Sequence, residues 1–104
     1  MRNHYIGGFQ IALAAIGSLR RQLSAELWPH GIRAVSLRAG GVPETIREDF
    51  ARREAIIESL VEPTMLGGTA TLEDVGNVAA FVASDKARSM TAATANTSCG
   101  ALVD

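Results

Sequence analysis

The chain has 104 residues, of which 47% are hydrophobic, and a formal net charge of −1 at pH 7. This length predicts a single domain over 1–104 with a small core, because the fraction of surface buried on folding falls with chain size. The near-neutral charge and the scarcity of aromatic residues exclude the basic, base-stacking surface of a nucleic-acid-binding protein.

Two further features restrict the class of protein. No apolar run reaches the roughly 20 residues that a membrane-spanning helix needs, so we expect no membrane span. Cys99 is the only cysteine, which excludes an internal disulfide and disfavours a thiolate metal site. A lone thiol is compatible with a reducing compartment, and we therefore expect a cytoplasmic protein.

The first predicted element is an amphipathic helix from about 8 to 27. Its apolar stripe recurs at a spacing of four residues: Ile11, Ala15, Leu19 and Leu23. A turn at Pro29-His30-Gly31 ends this helix. The next six residues, 32–37, are partly β-branched and are bounded by glycines, which predicts a short buried strand.

The second half of the chain begins with Gly40, Gly41 and Pro43, which force a loop. Apolar spacing and acid-before-base pairs (Glu48 with Arg52, Asp49 with Arg53) predict a helix over 44–61. A third helix is predicted from Thr71 to about Ser84, since Thr71 and Asp74 have the spacing of a capping box. A β-prone stretch over 91–97 follows. The order helix, strand, helix, helix, strand predicts an α/β fold, and two strands alone make an incomplete sheet.

Several segments, in chain order, resemble the C-terminal half of a short-chain dehydrogenase/reductase. They are Ala14-Ala15-Ile16, Leu23-Ser24-Ala25-Glu26-Leu27, Pro29-His30-Gly31-Ile32-Arg33, Gly40-Gly41-Val42-Pro43, Thr71 to Asp85, and Thr91 to Gly100. The resemblance implies the C-terminal half of a Rossmann-like doubly wound fold. It also implies hydride exchange between NAD or NADP and a carbonyl or alcohol substrate.

The same resemblance places four residues in a loop beside the nicotinamide: Gly40, Gly41, Val42 and Thr45. Glu44 stands where the family usually has a threonine, and a carboxylate beside the diphosphate of a cofactor would be repulsive. No G-x-G-x-x-G or G-x-x-x-G-x-G turn occurs in the 104 residues. Such a turn holds the pyrophosphate against a helix N-terminus, so we expect the isolated chain to bind no nicotinamide cofactor.

The catalytic pair of the family is a tyrosine and, four residues later, a lysine on the same helix face, where the ammonium lowers the pKa of the phenol. Alignment on Ala14-Ala15 puts Phe9 and Leu13 at these positions. The only tyrosine, Tyr5, is followed four residues later by Phe9, and the only lysine, Lys86, lies in another segment. We therefore predict no catalytic residue in this chain.

Other reactive side chains favour structural roles. His4, His30 and Cys99 have no visible orienting partner, and no metal site is predicted. Three serines lack the nucleophile-elbow context of a hydrolase: Ser18, Ser24 and Ser36. The charged stretch 47–58 is compatible equally with a substrate lid, which the resemblance implies, and with a solvated amphipathic helix.

Two functions of different classes remain open. The first is an oxidoreductase-type function of the family, to which this chain contributes the loop and the lid. The second is a non-catalytic remnant or interaction module that folds by oligomerising. In the family the first helix commonly joins a four-helix bundle between subunits. We therefore expect a homo-oligomer formed through the helix at about 8–27 and the C-terminal strand.

Overall fold

The computed structural model of the chain describes residues 7–103. Its main elements, in chain order, are α1 (Gly7–Leu27), β1 (Val35–Arg38), α2 (Arg53–Val61), α3 (Leu72–Ala83) and β2 (Ala93–Asn96). The predicted α/β order of helix, strand, helix, helix, strand is confirmed. Two compact units share these elements: one contains residues 7–36 and 89–93, the other residues 37–88 and 94–103.

The first helix ends as its sequence predicts. After Leu27 the chain tightens into a 3-10 turn, Trp28–His30, which contains Pro29. Gly31 then adopts φ +71° and its N–H donates to the carbonyl oxygen of Trp28 at 3.0 Å. A left-handed residue at this position favours glycine, which has no Cβ to clash with its own backbone.

Ser24 lies on the side of α1 that packs within its own unit. Ser24 is 6% exposed, and its Oγ lies 2.9 Å from the carbonyl oxygen of Arg20 and 3.3 Å from that of Ala34. By contrast, the predicted apolar stripe stays in contact with solvent, with Ile11 73% and Leu19 57% exposed. Within the described residues, therefore, the stripe has no apolar surface to bury against.

The strands β1 and β2 form a two-stranded parallel sheet. The N–H of Ala92 donates to the carbonyl oxygen of Ala34 at 2.9 Å, and the N–H of Thr97 donates to that of Arg38 at 2.8 Å. From the first of these bonds to the second, the residue numbers increase on both strands, so the strands run parallel. Within residues 7–103 each strand has a neighbour on one edge only, so the predicted incomplete sheet is confirmed.

Both strands differ at their ends from the predicted ranges of 32–37 and 91–97. The N–H of Ile32 bonds to the carbonyl oxygen of Leu27 at 3.4 Å, so this part of the chain still completes the end of α1. Ala92 has φ +55°, a left-handed conformation that is incompatible with an extended strand. The extended strands therefore begin later in both segments.

The helix predicted over 44–61 is wrong in its first half, since α2 covers only Arg53–Val61. Pro43–Thr45 form a 3-10 turn, and Ile46 is extended with φ −89° and ψ 130°. Two further turns follow, in which Phe50 and Arg53 bond to carbonyl oxygens three residues earlier. The extended Ile46 separates these turns from the turn that contains Pro43. The i→i−4 hydrogen bonds of α2 begin only after them.

The predicted ion pair between Asp49 and Arg53 is replaced by a local one. The carboxylate of Asp49 accepts from Arg47 at 2.8 Å, and both side chains are well exposed. A spacing of two residues suits a turn and not a helix, in which residues three or four apart are neighbours. This pair therefore belongs to the turns that precede α2.

The start of α3 confirms the predicted capping box. The hydroxyl of Thr71 accepts from the N–H of Asp74 at 3.0 Å, and the carboxylate of Asp74 accepts from the N–H of Thr71 at 2.9 Å. Hydrogen bonds from the backbone of Thr71, and secondarily from its side chain, hold the pKa of Asp74 below its ordinary value of 3.8. The helix therefore begins where its sequence signal indicates.

Few side chains are buried in the part of the chain that the structure describes. The buried residues are Ala70, Ala87, Ser24 and Ser98, whereas many large apolar side chains on α1, on α3 and in the connecting turns are exposed. Exposed apolar surface of this extent marks contact with another chain or segment. None of the helices in residues 7–103 is long and apolar enough to cross a membrane.

A strained position follows β2. Cys99 has φ +56°, and its carbonyl oxygen accepts from the N–H groups of Met65 (2.9 Å) and Leu66 (3.1 Å), which fixes that backbone. We predict that Cys99→Gly raises the free energy of unfolding by about 0.5–1 kcal/mol, because glycine tolerates this conformation. Chemical denaturation measures the change. Cys99→Ala keeps the Cβ and should give no gain; an equal gain from alanine would attribute the effect to the thiol.

Candidate functional site

The predicted site lies in the loop that leaves β1, called the 40–45 loop below. Gly40 has φ +67°, and a Cβ built on it would come within 3.1 Å of the Cβ of Ser98. A left-handed backbone and a close neighbour together favour glycine here. The loop therefore rests directly on the turn that follows β2.

That turn is held by a closed set of hydrogen bonds. Ser98 is 3% exposed, and both its N–H (3.0 Å) and its Oγ (2.6 Å) donate to Oδ1 of Asn96. The Nδ2 of Asn96 donates to the carbonyl oxygen of Leu102 at 2.8 Å, and the N–H of Leu102 donates to Oγ of Ser98 at 3.0 Å. Because each polar atom of Ser98 is bonded, the surface under Gly40 is fixed.

Gly41 is favoured for a different reason. A Cβ at this position would overlap the side chain of Leu60 on α2, lying 2.8 Å from its Cδ1 and 2.9 Å from its Cγ. The backbone of the loop thus packs against α2 through a leucine. The two adjacent glycines rest on two different elements of the same unit.

The end of the loop is closed by Val42 and Thr45. The carbonyl oxygen of Val42 accepts both the N–H of Thr45 at 3.0 Å and its hydroxyl at 2.7 Å. The hydroxyl proton of Thr45 is therefore in use, while its oxygen keeps acceptor capacity and the residue is exposed. A ligand that donates a hydrogen bond, such as an amide, fits this atom.

The carboxylate of Glu44 is bonded to α3. Its Oε1 accepts from the N–H of Leu72 at 3.2 Å. That N–H is one of the first-turn donors that have no partner inside a helix, and the helix N-terminus favours negative charge. Because this hydrogen bond anchors the carboxylate of Glu44 to α3, its expected repulsion of a cofactor diphosphate would act from the N-terminus of that helix.

These residues fit one end of a nicotinamide cofactor better than the other. Val42 and Thr45 form a turn that is fixed by hydrogen bonds, and the hydroxyl oxygen of the exposed Thr45 can accept from the N–H of a carboxamide. The N-terminus of α3 already holds the carboxylates of Glu44 and Asp74. The loop is hydrogen-bonded to α3 through Glu44. A diphosphate would therefore find no vacant positive end on this helix.

The remaining predicted residues are placed as follows. Phe9 (57%) and Leu13 (46%) are both exposed on α1. His30 is exposed in the 3-10 turn, and Cys99 is a half-buried free thiol. His4 and Tyr5 lie outside the described residues. Residues 7–103 hold no group of three histidine, cysteine or acidic side chains arranged to bind a metal ion.

The stretch proposed as a lid contains a shallow open depression lined by Glu48 and by residues 50–55. The Nε of Arg53 is buried without a hydrogen-bond partner within the described part of the chain. The first half of the stretch is turn and the second half is helix.

Three contacts of the site were not foreseen from the sequence: Ser98 under Gly40, Leu60 under Gly41 and Leu72 beside Glu44. The polar cluster Asn96-Thr97-Ser98 before Gly100 signals a side-chain-bonded turn, and it could have identified Ser98 as buried. No local pattern connects the loop with Leu60 or Leu72, because these contacts join distant segments.

Comparisons with known proteins identify relatives of the chain. A family model described as enoyl-(acyl carrier protein) reductase matches residues 3–101. The enoyl-(acyl-carrier-protein) reductase (NADH) FabI of Haemophilus influenzae is 31% identical over 81 residues, which cover 78% of this chain and 31% of that protein.

Two solved structures resemble it as well. A short-chain dehydrogenase/reductase family oxidoreductase from Burkholderia thailandensis has a TM-score of 0.75 and 28% identity, covering 91% of this chain and 38% of that one. Sorbitol-6-phosphate 2-dehydrogenase SrlD from Erwinia amylovora has a TM-score of 0.69 and 26% identity, covering 85% and 38%. The chain thus spans about a third of the length of the relatives it matches.

Proposed function

Since the chain belongs to the short-chain dehydrogenase/reductase family, we propose that it provides part of a nicotinamide-linked oxidoreductase and is inactive alone. The reaction in the lineage is hydride exchange between NAD(P) and a carbonyl or alcohol substrate. The observation that best supports this role is the 40–45 loop, whose glycines rest on Ser98 and Leu60. The loop is thereby shaped without a ligand, as a positioned cofactor contact requires.

NAD(H) and NADP(H) are the cofactors of this proposal, with Gly40, Gly41, Val42 and Thr45 as contacts. The name of the Haemophilus influenzae relative includes NADH, which makes NADH the first nucleotide to test. When bound, the nicotinamide supplies or takes the hydride. In this proposal, the residues of the chain orient the carboxamide through Thr45 and limit water access through the stretch 47–58.

We predict that the 104-residue chain binds NAD(H) and NADP(H) no more tightly than about millimolar, some 4 kcal/mol at a 1 M standard state. The reason is that the diphosphate finds neither a glycine-rich turn nor a vacant positive end at α3. Calorimetric titration measures the affinity, and a full-length relative in the same buffer is the positive control. Micromolar affinity for either nucleotide would overturn the prediction.

A second function, that of an association module, is supported by the exposed stripe of α1. The side chains of this stripe are apolar and their unit offers them no partner within residues 7–103. The free edges of β1 and β2 provide a further surface for pairing. We propose a homo-oligomer formed through α1 and the strand β2. A cytoplasmic location belongs to the same proposal, because the lone Cys99 suits a reducing compartment.

A further inference from the structure

The hydrogen bond between Glu44 and α3 links the 40–45 loop to a distant helix. The two residues are 28 positions apart, and Oε1 of Glu44 lies 3.2 Å from the backbone nitrogen of Leu72. The capping box accounts for Thr71 and Asp74, whose bonds are mutual. The N–H of Leu72 is a separate donor, which the capping box leaves without an acceptor.

Charge favours this contact. The positive end of the α3 dipole attracts a carboxylate, and a hydrogen bond to an ionised acceptor is stronger than one between neutral groups. Glu73 and Asp74 also lie in the first turn of α3. Both belong to the helix itself, so of the acids at this end only Glu44 ties another segment of the chain to it.

The position of Glu44 within the loop transmits this contact to the candidate site. Glu44 is the middle residue of the 3-10 turn Pro43–Thr45. The N–H of Thr45 bonds to Val42 and that of Ile46 bonds to Pro43, each at 3.0 Å. Fixing the side chain of Glu44 therefore restricts the turn that carries Val42 and Thr45.

We propose that Glu44 is a positioning residue: its carboxylate fixes the far end of the 40–45 loop on α3, while Gly40 fixes the near end on Ser98. The loop is thus held at both ends by contacts inside its own unit. The functional importance of this inference rests on the proposed function, in which the loop contacts a nicotinamide. The anchoring itself is independent of any ligand.

Amide hydrogen exchange of the full chain tests the anchoring without nucleotide. The variants are Glu44→Ala, which removes the acceptor, and Glu44→Gln, which keeps an oxygen at the same place. Glu48→Ala is the matched control, since it removes an exposed acid a few residues away that makes no hydrogen bond in the described structure. Exchange is followed at Leu72, Thr45 and Ile46, and at α1 as an internal reference.

We expect Glu44→Ala to raise exchange at these three amides about three- to tenfold, the range given by a hydrogen bond of ordinary net strength. Glu44→Gln should restore most of the protection, while Glu48→Ala and the amides of α1 should not change. Unchanged loop exchange in Glu44→Ala, a glutamine variant as fast as alanine, or an equal increase in α1 would each overturn the proposal. Micromolar nucleotide affinity in the titration above would contradict only the prediction made under the proposed function, and it would leave the anchoring of the loop unaffected.

Discussion

The double variant Phe9→Tyr/Leu13→Lys should remain inactive as a dehydrogenase when it is the only chain present. Both residues lie on α1, four positions apart and largely exposed, so the substitutions are compatible with the helix. They place a phenol beside an ammonium on one helix face, and the positive charge lowers the pKa of the tyrosine. The proton donor of the family is then present.

Positioning is what the double variant still lacks. Holding the nicotinamide against the substrate is worth roughly 7–11 kcal/mol of the barrier, or about five to eight orders of magnitude in rate. We expect turnover only when a family N-terminal segment with a glycine-rich phosphate turn is supplied, fused or in trans. Nicotinamide absorbance with a panel of ketones and alcohols is the assay.

The single variants with the same N-terminal segment serve as controls, because each lacks half of the pair. Phe9→Tyr alone has a phenol with an unaltered environment, and Leu13→Lys alone has no proton donor. Clear turnover by the unmodified chain, or by the double variant alone, would show that the active site has been misplaced.

Placing a charge on the exposed stripe of α1 should disrupt self-association. We predict that Leu19→Glu weakens the association by at least about 100-fold, because burying a leucine contributes about 1.5–3 kcal/mol and a buried carboxylate adds a further cost. Sedimentation velocity over a range of micromolar concentrations measures the shift toward the monomer. Leu19 is a suitable target because its own unit does not bury it.

Ala25→Glu is the matched control for this experiment. It introduces the same charge at an exposed position of α1 that is well rotated from the stripe. We expect the control to associate like the unmodified chain. A compact, cooperatively folding monomer of the unmodified chain at micromolar concentration would exclude association through α1.

The elements with strong local signals could be predicted from the sequence. The first helix combines an alanine-rich stripe with a Pro-His-Gly ending, and α3 begins at a complete capping box. The helix over 44–61 had weaker support, since it rested on apolar spacing and on two acid-before-base pairs. Its first half forms turns, in which Arg47 pairs locally with Asp49 and Glu44 bonds to the distant Leu72.

The loop was predictable from the sequence, whereas its contacts were not. Gly40 and Gly41 indicate a loop wherever they occur, and the role proposed for this loop rests on the family resemblance. The neighbours of these glycines, Ser98 and Leu60, come from other segments, and a single sequence contains no signal for that proximity. The same limit applies to the apolar stripe of α1, which predicts a buried face without indicating what covers it.

The near absence of buried apolar side chains in residues 7–103 also determines how heat should act on this chain. Unfolding of ordinary domains exposes enough apolar surface to raise the heat capacity by about 12–15 cal/mol/K per residue. A free chain that has hidden little surface has little to expose, so its melting should be broad. The heat-capacity change that is absent from the unfolding of the free chain would then accompany its association. Thermal stability would depend on protein concentration as much as on sequence, because the partner acts as a ligand of the folded state.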